Sequence, residues 1–148
     1  MRKEYLSKSI EDTNKIALEF SKTIKEGSLI FAKGELGAGK TSFFKALGSA
    51  LSVNTIINSP TFNLIKIYNG KLNGKKLVLY HVDCYRLENA IESRKDLGLD
   101  EVIGEDNTLV YVEWPQYGDE FLKSYTPRIE IEIEYISENE RRIIIDEK

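Results

Sequence analysis

The chain has one cysteine, Cys84, and one histidine, His81. A lone thiol cannot close an internal disulfide, and with no Cys/His cluster there is no ligand spacing for a zinc site. Dominant charge is missing as well: 21 Lys and Arg stand against 24 Asp and Glu, for a net charge of -3. Composition therefore makes no general electrostatic case for gripping a nucleic acid backbone, and any RNA role needs a local patch or a partner. Nowhere do about 18 apolar residues run together as a membrane span requires. The opening residues Met1, Arg2, Lys3 and Glu4 are polar, so neither export nor a membrane anchor is expected, and a reducing cytoplasm suits the chain. Repeats and low-complexity segments are absent.

What is present fits one soluble globular unit. The chain has 148 residues, 41% hydrophobic and 30% charged, close to the usual size of a single domain, so residues 1–148 are expected to form one. Ile16, Ala17, Phe20 and Ile24 recur at helical spacing, with Asp12 or Thr13 as caps and Gly27 as a stop, predicting a helix over 11–26. The apolar run 28–32 predicts a strand, and 42–51, with Phe43, Phe44, Ala46, Leu47 and Ala50, a second helix. Residues 58–61 contain a proline and read as a loop. The stretches 62–68 and 75–82 flank Asn69, Gly70 and Gly74 like an antiparallel hairpin. Residues 87–103 suggest short helices broken near Gly98. Residues 109–112 form an apolar strand that Pro115 cannot continue. Ile129, Ile131 and Ile133, then Ile143 and Ile145, alternate as a terminal hairpin with one wet face.

The glycine-rich turn between the first strand and the second helix carries the chemistry. Gly34, Glu35, Leu36, Gly37, Ala38, Gly39, Lys40 and Thr41 spell G-x-x-x-x-G-K-T, the phosphate-binding P-loop. Its glycines let backbone N–H groups turn inward around phosphate oxygens, and the following helix points its positive end at the same anion. Lys40 would neutralise the outer phosphates, and Thr41 would place its hydroxyl on magnesium. Hydrolysis needs a further acid, and two acids end apolar runs: Asp83 after 77–82 and Glu113 after 109–112. Either faces the P-loop if its strand runs the right way; an acid leaving a strand for solvent is the alternative for each. Thr61 lies in a Ser-Pro-Thr loop, where related nucleotide hydrolases place a switch threonine. No Asn-Lys-x-Asp guanine-reading motif follows the P-loop, which favours ATP over GTP.

These pieces, in this order, resemble the TsaE (YjeE) family. Besides the P-loop, Asn58-Ser59-Pro60-Thr61-Phe62 is similar to its switch segment and Tyr80-His81-Val82-Asp83-Cys84-Tyr85-Arg86-Leu87 to its Asp-x-Tyr-Arg strand end. Leu97-Gly98-Leu99-Asp100-Glu101 and Glu113-Trp114-Pro115 complete the set. The resemblance implies an α/β P-loop NTPase fold, a mixed β-sheet flanked by helices, with hairpin additions near 62–82 and at the C-terminus. It also implies magnesium-dependent ATP hydrolysis coupled to an assembly that installs threonylcarbamoyl on adenosine 37 of tRNA, with TsaD and TsaB type proteins as partners and tRNA reached through them. Carried over by residue, the resemblance makes Lys40, Asp83 and Thr61 catalytic and Thr41 and Glu113 magnesium ligands. The nucleotide then rests on Thr13, Glu35, Leu36, Gly37, Ala38, Gly39, Lys40, Thr41, Ser42 and Trp114. Two departures stand out: Cys84 where leucine is frequent, and a tail ending soon after Ile145, which counts against a C-terminal nucleotide contact from Arg141 or Arg142.

Other residues have two readings each. His81 shares a strand face with Asp83; a packed or hydrogen-bonded strand histidine is expected, with a site role as the alternative. Arg86 either stabilises charge or meets a partner, or it is a surface arginine paired with Glu88 or Glu92. Trp114 either packs or holds nucleotide. Glu101, Glu105 and Asp106 read as a solvated face, and Cys84 as a small buried hydrophobe. For the whole chain, the alternative to an ATPase is a nucleotide-gated binding module that needs no hydrolysis. A small-molecule kinase is disfavoured because no arginine-rich lid follows the P-loop.

Overall fold

The structure is a computed structural model that describes residues 2–58, 64–87 and 98–148. Its strands and helices run, in chain order, β1 (Lys3–Ser7), α1 (Ile10–Ser21), β2 (Ser28–Lys33), α2 (Lys40–Ala50), β3 (Ile65–Leu72) and β4 (Lys75–Asp83). β5 (Thr108–Glu113), α3 (Glu120–Ser124), β6 (Ile129–Tyr135) and β7 (Arg141–Glu147) follow. Short 3-10 turns occupy Tyr85–Leu87, Leu99–Glu101 and Pro115–Tyr117.

The strands form one mixed sheet in the order β1-β7-β6-β2-β5-β4-β3. β4, β5, β2 and β6 are mutually parallel, and antiparallel strands close both sides: β3 on β4, and β7 then β1 beyond β6. This is the α/β architecture the resemblance implied. β5 is buried along its whole length, which explains its unbroken run of apolar residues: a central parallel strand has no wet face. Alternate residues of β2 serve opposite layers. Ile30 and Ala32 pack with Ile16, Phe20, Phe43, Phe44 and Leu47 of α1 and α2. Leu29 and Phe31 pack with Leu99, Ile103 and Leu122 on the other face.

Several boundaries differ from the sequence expectation. α1 begins at Ile10 because Ser9, not Asp12 or Thr13, is its cap. The Ser9 hydroxyl accepts from the Asp12 amide at 3.1 Å, and the Asp12 carboxylate accepts in return from the Lys8 amide at 2.9 Å, satisfying two amides at the helix start. It ends at Ser21, well before Gly27, where the Ser21 and Thr23 hydroxyls donate to the Leu18 and Phe20 carbonyls and take over bonds the helix would otherwise make. The β3–β4 turn is Asn73–Gly74, with φ of 53° and 80°, the left-handed pair that a two-residue hairpin demands. Gly70 instead lies inside β3, where an added Cβ would sit 2.5 Å from the Leu51 carbonyl oxygen; close backbone approach, not a turn, requires glycine there. β1 carries no clear strand signal in the sequence, since four of its five residues are exposed or half-buried and the strand has little apolar alternation. The expectations on 59–63 and 88–97, including Thr61 and the pairing of Arg86 with Glu88 or Glu92, lie outside the described residues. Glu101, Glu105 and Asp106 are exposed, and Cys84 is fully buried.

Candidate functional site

The parallel strands bring their carboxyl ends to one side of the sheet. β2 ends in the P-loop, β4 in Asp83 and β5 in Glu113. β2 is also where the chain order reverses, with β6 on one side and β5 on the other, the crevice where open α/β sheets take ligands. Gly34 leaves β2 with φ of 152°, and a Cβ there would stand 2.5 Å from the Ile133 carbonyl oxygen of β6, so no other residue fits the loop into this bend. Gly39 caps α2 with no side chain involved, leaving the first-turn amides of α2 without intrahelical acceptors.

Lys40 is 5% exposed. Its Nζ donates to the Gly34 carbonyl at 2.7 Å and the Glu35 carbonyl at 2.8 Å, and lies 4.3 Å from the centre of the Trp114 ring. Burial lowers its pKa, opposed by the negative charges of Glu113, Asp83 and Glu35. The neighbouring Thr41 hydroxyl donates to Glu113 Oε2 at 2.8 Å. Asp83 and Glu113 are register partners on β4 and β5 and project to the same face. The Asp83 carboxylate accepts from the Tyr85 amide at 3.0 Å. Burial pushes its pKa up; the Tyr85 bond opposes this, while the Glu113 charge adds to it.

A cleft of about 280 Å³ joins these groups, lined by Leu36, Gly37, Lys40, Thr41, Asp83, Tyr85, Glu113 and Trp114 among others. Trp114 turns into it in the left-handed region, φ 56°, in ring contact with Tyr85 and Tyr117 at 4.9 and 6.0 Å. A second cleft, about 300 Å³, opens on the other flank of α2, where Thr13, Asn14, Ala38, Phe43 and Arg141 contribute. Gly39 and Ser42 line both. Thr13 bonds Ser7 at 2.7 Å; because the Ser7 hydroxyl donates to the Ser9 carbonyl at 2.9 Å, Thr13 is the donor of the pair.

Lys40, Thr41, Asp83, Glu113 and Trp114 thus come together in one cleft with Leu36 and Gly37, whereas Thr13 and Ala38 lie in the other. Glu35 holds the Lys40 amine through its carbonyl. Reasoning from sequence missed Ser7 and Asn14, took Tyr85 only as part of the Asp-x-Tyr-Arg strand end, and set Arg141 aside. Arg141 Nε donates to the Ala38 carbonyl at 2.8 Å and its Nη1 to Ser137 and Glu140 carbonyls at 2.6 and 2.9 Å. It reaches the P-loop because β6 pairs with β2 and brings the terminal hairpin alongside, and no local pattern signals that pairing. Among the described residues no group of three or more His, Cys, Asp or Glu is arranged to hold an ion. The hard oxygens of Thr41 and Glu113 suit a cation that takes its other ligands from phosphate and water.

Fold and site together define an α/β protein of the P-loop NTPase class. The family model described as "Threonylcarbamoyl adenosine biosynthesis protein TsaE" matches residues 7–143, so the chain belongs to the TsaE family. It is 39% identical over 133 residues to the tRNA threonylcarbamoyladenosine biosynthesis protein TsaE of Bacillus subtilis, spanning 90% of this chain and 78% of that protein. The protein of the same name from Aquifex aeolicus is 37% identical over 148 residues, covering 99% and 97%. The crystal structure of Bacillus subtilis YdiB superposes with a TM-score of 0.74 at 29% identity, covering 98% of this chain and 84% of that one.

Proposed function

We propose that this chain binds MgATP at the P-loop and hydrolyses it in the service of tRNA threonylcarbamoyladenosine synthesis. It drives or resets an assembly of TsaD and TsaB type proteins, which in turn modify adenosine 37. One observation carries the hydrolytic reading: Thr41 and Glu113, 72 residues apart in sequence, meet at 2.8 Å beside Lys40. A hydroxyl and a carboxylate so placed can exchange each other for a cation that accompanies phosphate. The names of the relatives supply the biosynthetic setting, which we extend to this chain through family membership.

In this mechanism the Lys40 ammonium leaves the Gly34 and Glu35 carbonyls for phosphate oxygens, while the loop amides and the start of α2 receive the same anion. Thr41 and Glu113 hold the magnesium, whose chemistry when bound is to draw charge from the terminal phosphates. Asp83, its carboxyl made more basic by burial, orients the attacking water and takes up its proton. Thr61 supplies the switch contact. The nucleoside takes the cleft of Thr13, Asn14 and Arg141, with Gly39 and Ser42 between it and the phosphates, and Trp114 covers the Lys40 side. This proposed contact from Arg141 departs from the sequence-based expectation, which counted against it. No helix among the described residues is long and apolar enough to cross a membrane. From the tRNA setting of the family, and not from that absence, we assign the chain to the cytoplasm.

The test is ATP turnover by the purified chain, alone and with its TsaD and TsaB type partners, in wild type and Lys40→Ala. Slow turnover that the partners raise and Lys40→Ala abolishes is the expected result. Binding of ATP without hydrolysis in the complete assembly would overturn the enzyme in favour of a nucleotide-gated binding module.

A further inference from the structure

The only histidine of the chain lies in β4 with no exposed surface, and the mechanism above gives it no task. Its ring stacks on Phe44, centroids 4.2 Å apart, and stands edge-on to Tyr111 at 5.8 Å. Among the described residues, Nδ1 has no hydrogen-bond partner within this aromatic box. Nε2 lies 2.6 Å from Glu113 Oε2. An ionised carboxylate only accepts, so Nε2 carries the hydrogen and donates it. A phenylalanine would fill the same box without burying an orphaned polar atom, which folded proteins generally avoid. What imidazole adds over a phenyl ring is one bond, and that bond goes to Glu113.

The same carboxylate oxygen also accepts from Thr41, so donors from α2 and β4 converge on one atom of β5. These two anchors differ in what happens on ligand binding. A hydroxyl that turns to a cation gives up its bond to Glu113, whereas the histidine, walled in by Phe44 and Tyr111, keeps its own. Asp83 stands next to Glu113 in register, and its negative charge would otherwise push the Glu113 carboxylate aside.

We propose that His81 is a positioning residue whose Nε2–H holds the Glu113 carboxylate aimed at the P-loop, so that the divalent cation arriving with a nucleotide meets an oriented ligand. The inference rests on reading Thr41 and Glu113 as the ligands of that cation. Groups behind a metal ligand act in this way by removing rotamers the ligand would otherwise have to lose on binding.

The experiment measures binding of a fluorescent, non-hydrolysable ATP analogue to the full chain in Mg²⁺ and again in EDTA, with thermal melts to verify folding. Wild type is compared with His81→Phe, which fills the box, and His81→Gln, whose amide nitrogen reaches the position of Nε2. Mg²⁺ is expected to strengthen wild-type binding. His81→Phe should cut that strengthening about tenfold while affinity in EDTA stays within about twofold, and His81→Gln should restore most of it. If His81→Phe does not fold, His81→Asn, whose amide reaches only as far as Nδ1, replaces it with the same expectation. Full Mg²⁺ strengthening in a folded Phe or Asn variant overturns the role of His81 and leaves the cation reading standing. Equal loss in the Gln and Phe variants also overturns it, because the hydrogen bond is then not the cause. Absence of any Mg²⁺ effect in wild type overturns both.

Discussion

Asp83 and Glu113 carry the same charge at adjacent strand ends, and their surroundings treat them differently. Among the described residues Glu113 receives the Thr41 hydroxyl and His81 Nε2, whereas Asp83 receives one backbone amide, too little to offset burial, so its carboxyl is raised above its ordinary value of 3.8. A raised acid holds its proton longer in the folded chain than in the unfolded one. Between the ordinary and raised values the folded state therefore binds more protons, and stability falls as pH rises through that window. Above it the penalty is fully present. Asp83→Asn keeps an acceptor for the Tyr85 amide and removes the buried charge, so it should melt higher than wild type at about pH 7, the gap closing as pH drops through the window. Thermal melts across that range check this, and a lower melting temperature at neutral pH would contradict it. ATP turnover should fall in the same variant, stability and activity moving in opposite directions as at other strained sites. Both acids were legible because each ends an apolar run. Their unequal environments were not, since they depend on side chains reaching across from α2 and β4.

Between elements, the junction of β2 and β6 sets the shape of the P-loop, because Gly34 leaves β2 directly against the Ile133 carbonyl. Glu130 of β6 ties the two strands together: Lys33 at the end of β2 donates to it at 2.7 Å and Arg128 at 2.8 Å. Burial works against its charge, but these two bonds and the nearby Lys148 outweigh burial and hold the carboxyl below its ordinary value of 4.5. The stabilisation from such a depressed acid is present above its unfolded pKa and is lost as pH falls through the folded one. Glu130→Gln is expected to cost about 1–2 kcal/mol near neutral pH, allowing for the partly exposed Lys33, and much less in acid. Urea unfolding at both pH values measures the difference, and an equal cost at both would show that charge is not the reason. The elements themselves were largely readable from periodicity. Their ends were decided by hydroxyl and amide bonds, as at Ser9 and Ser21, that periodicity does not encode.

For the molecule as a whole, nucleotide binding and stability are coupled. A ligand that binds only the folded chain adds about 2.7 kcal/mol at a concentration of 100 Kd, which for a domain of this size raises the melting temperature by about 5–10 °C. A saturating non-hydrolysable ATP analogue with Mg²⁺ should produce that shift in wild type and none in Lys40→Ala. A Lys40→Ala protein stabilised as much as wild type would remove the P-loop from the binding site.

The sequence by itself determined the phosphate loop, the two acids and the central strands, because these depend on spacing within a few residues and on apolar runs that only a buried parallel sheet needs. Tertiary structure alone decided the rest. The pairing of β6 with β2 sets Arg141 against the Ala38 carbonyl, and the crossing from α2 to β5 joins Thr41 to Glu113. The stacking of Phe44 on His81 leaves that ring one polar task among the described residues. Such contacts lie between residues far apart in the chain, and only strand order and layer packing bring them within hydrogen-bonding distance.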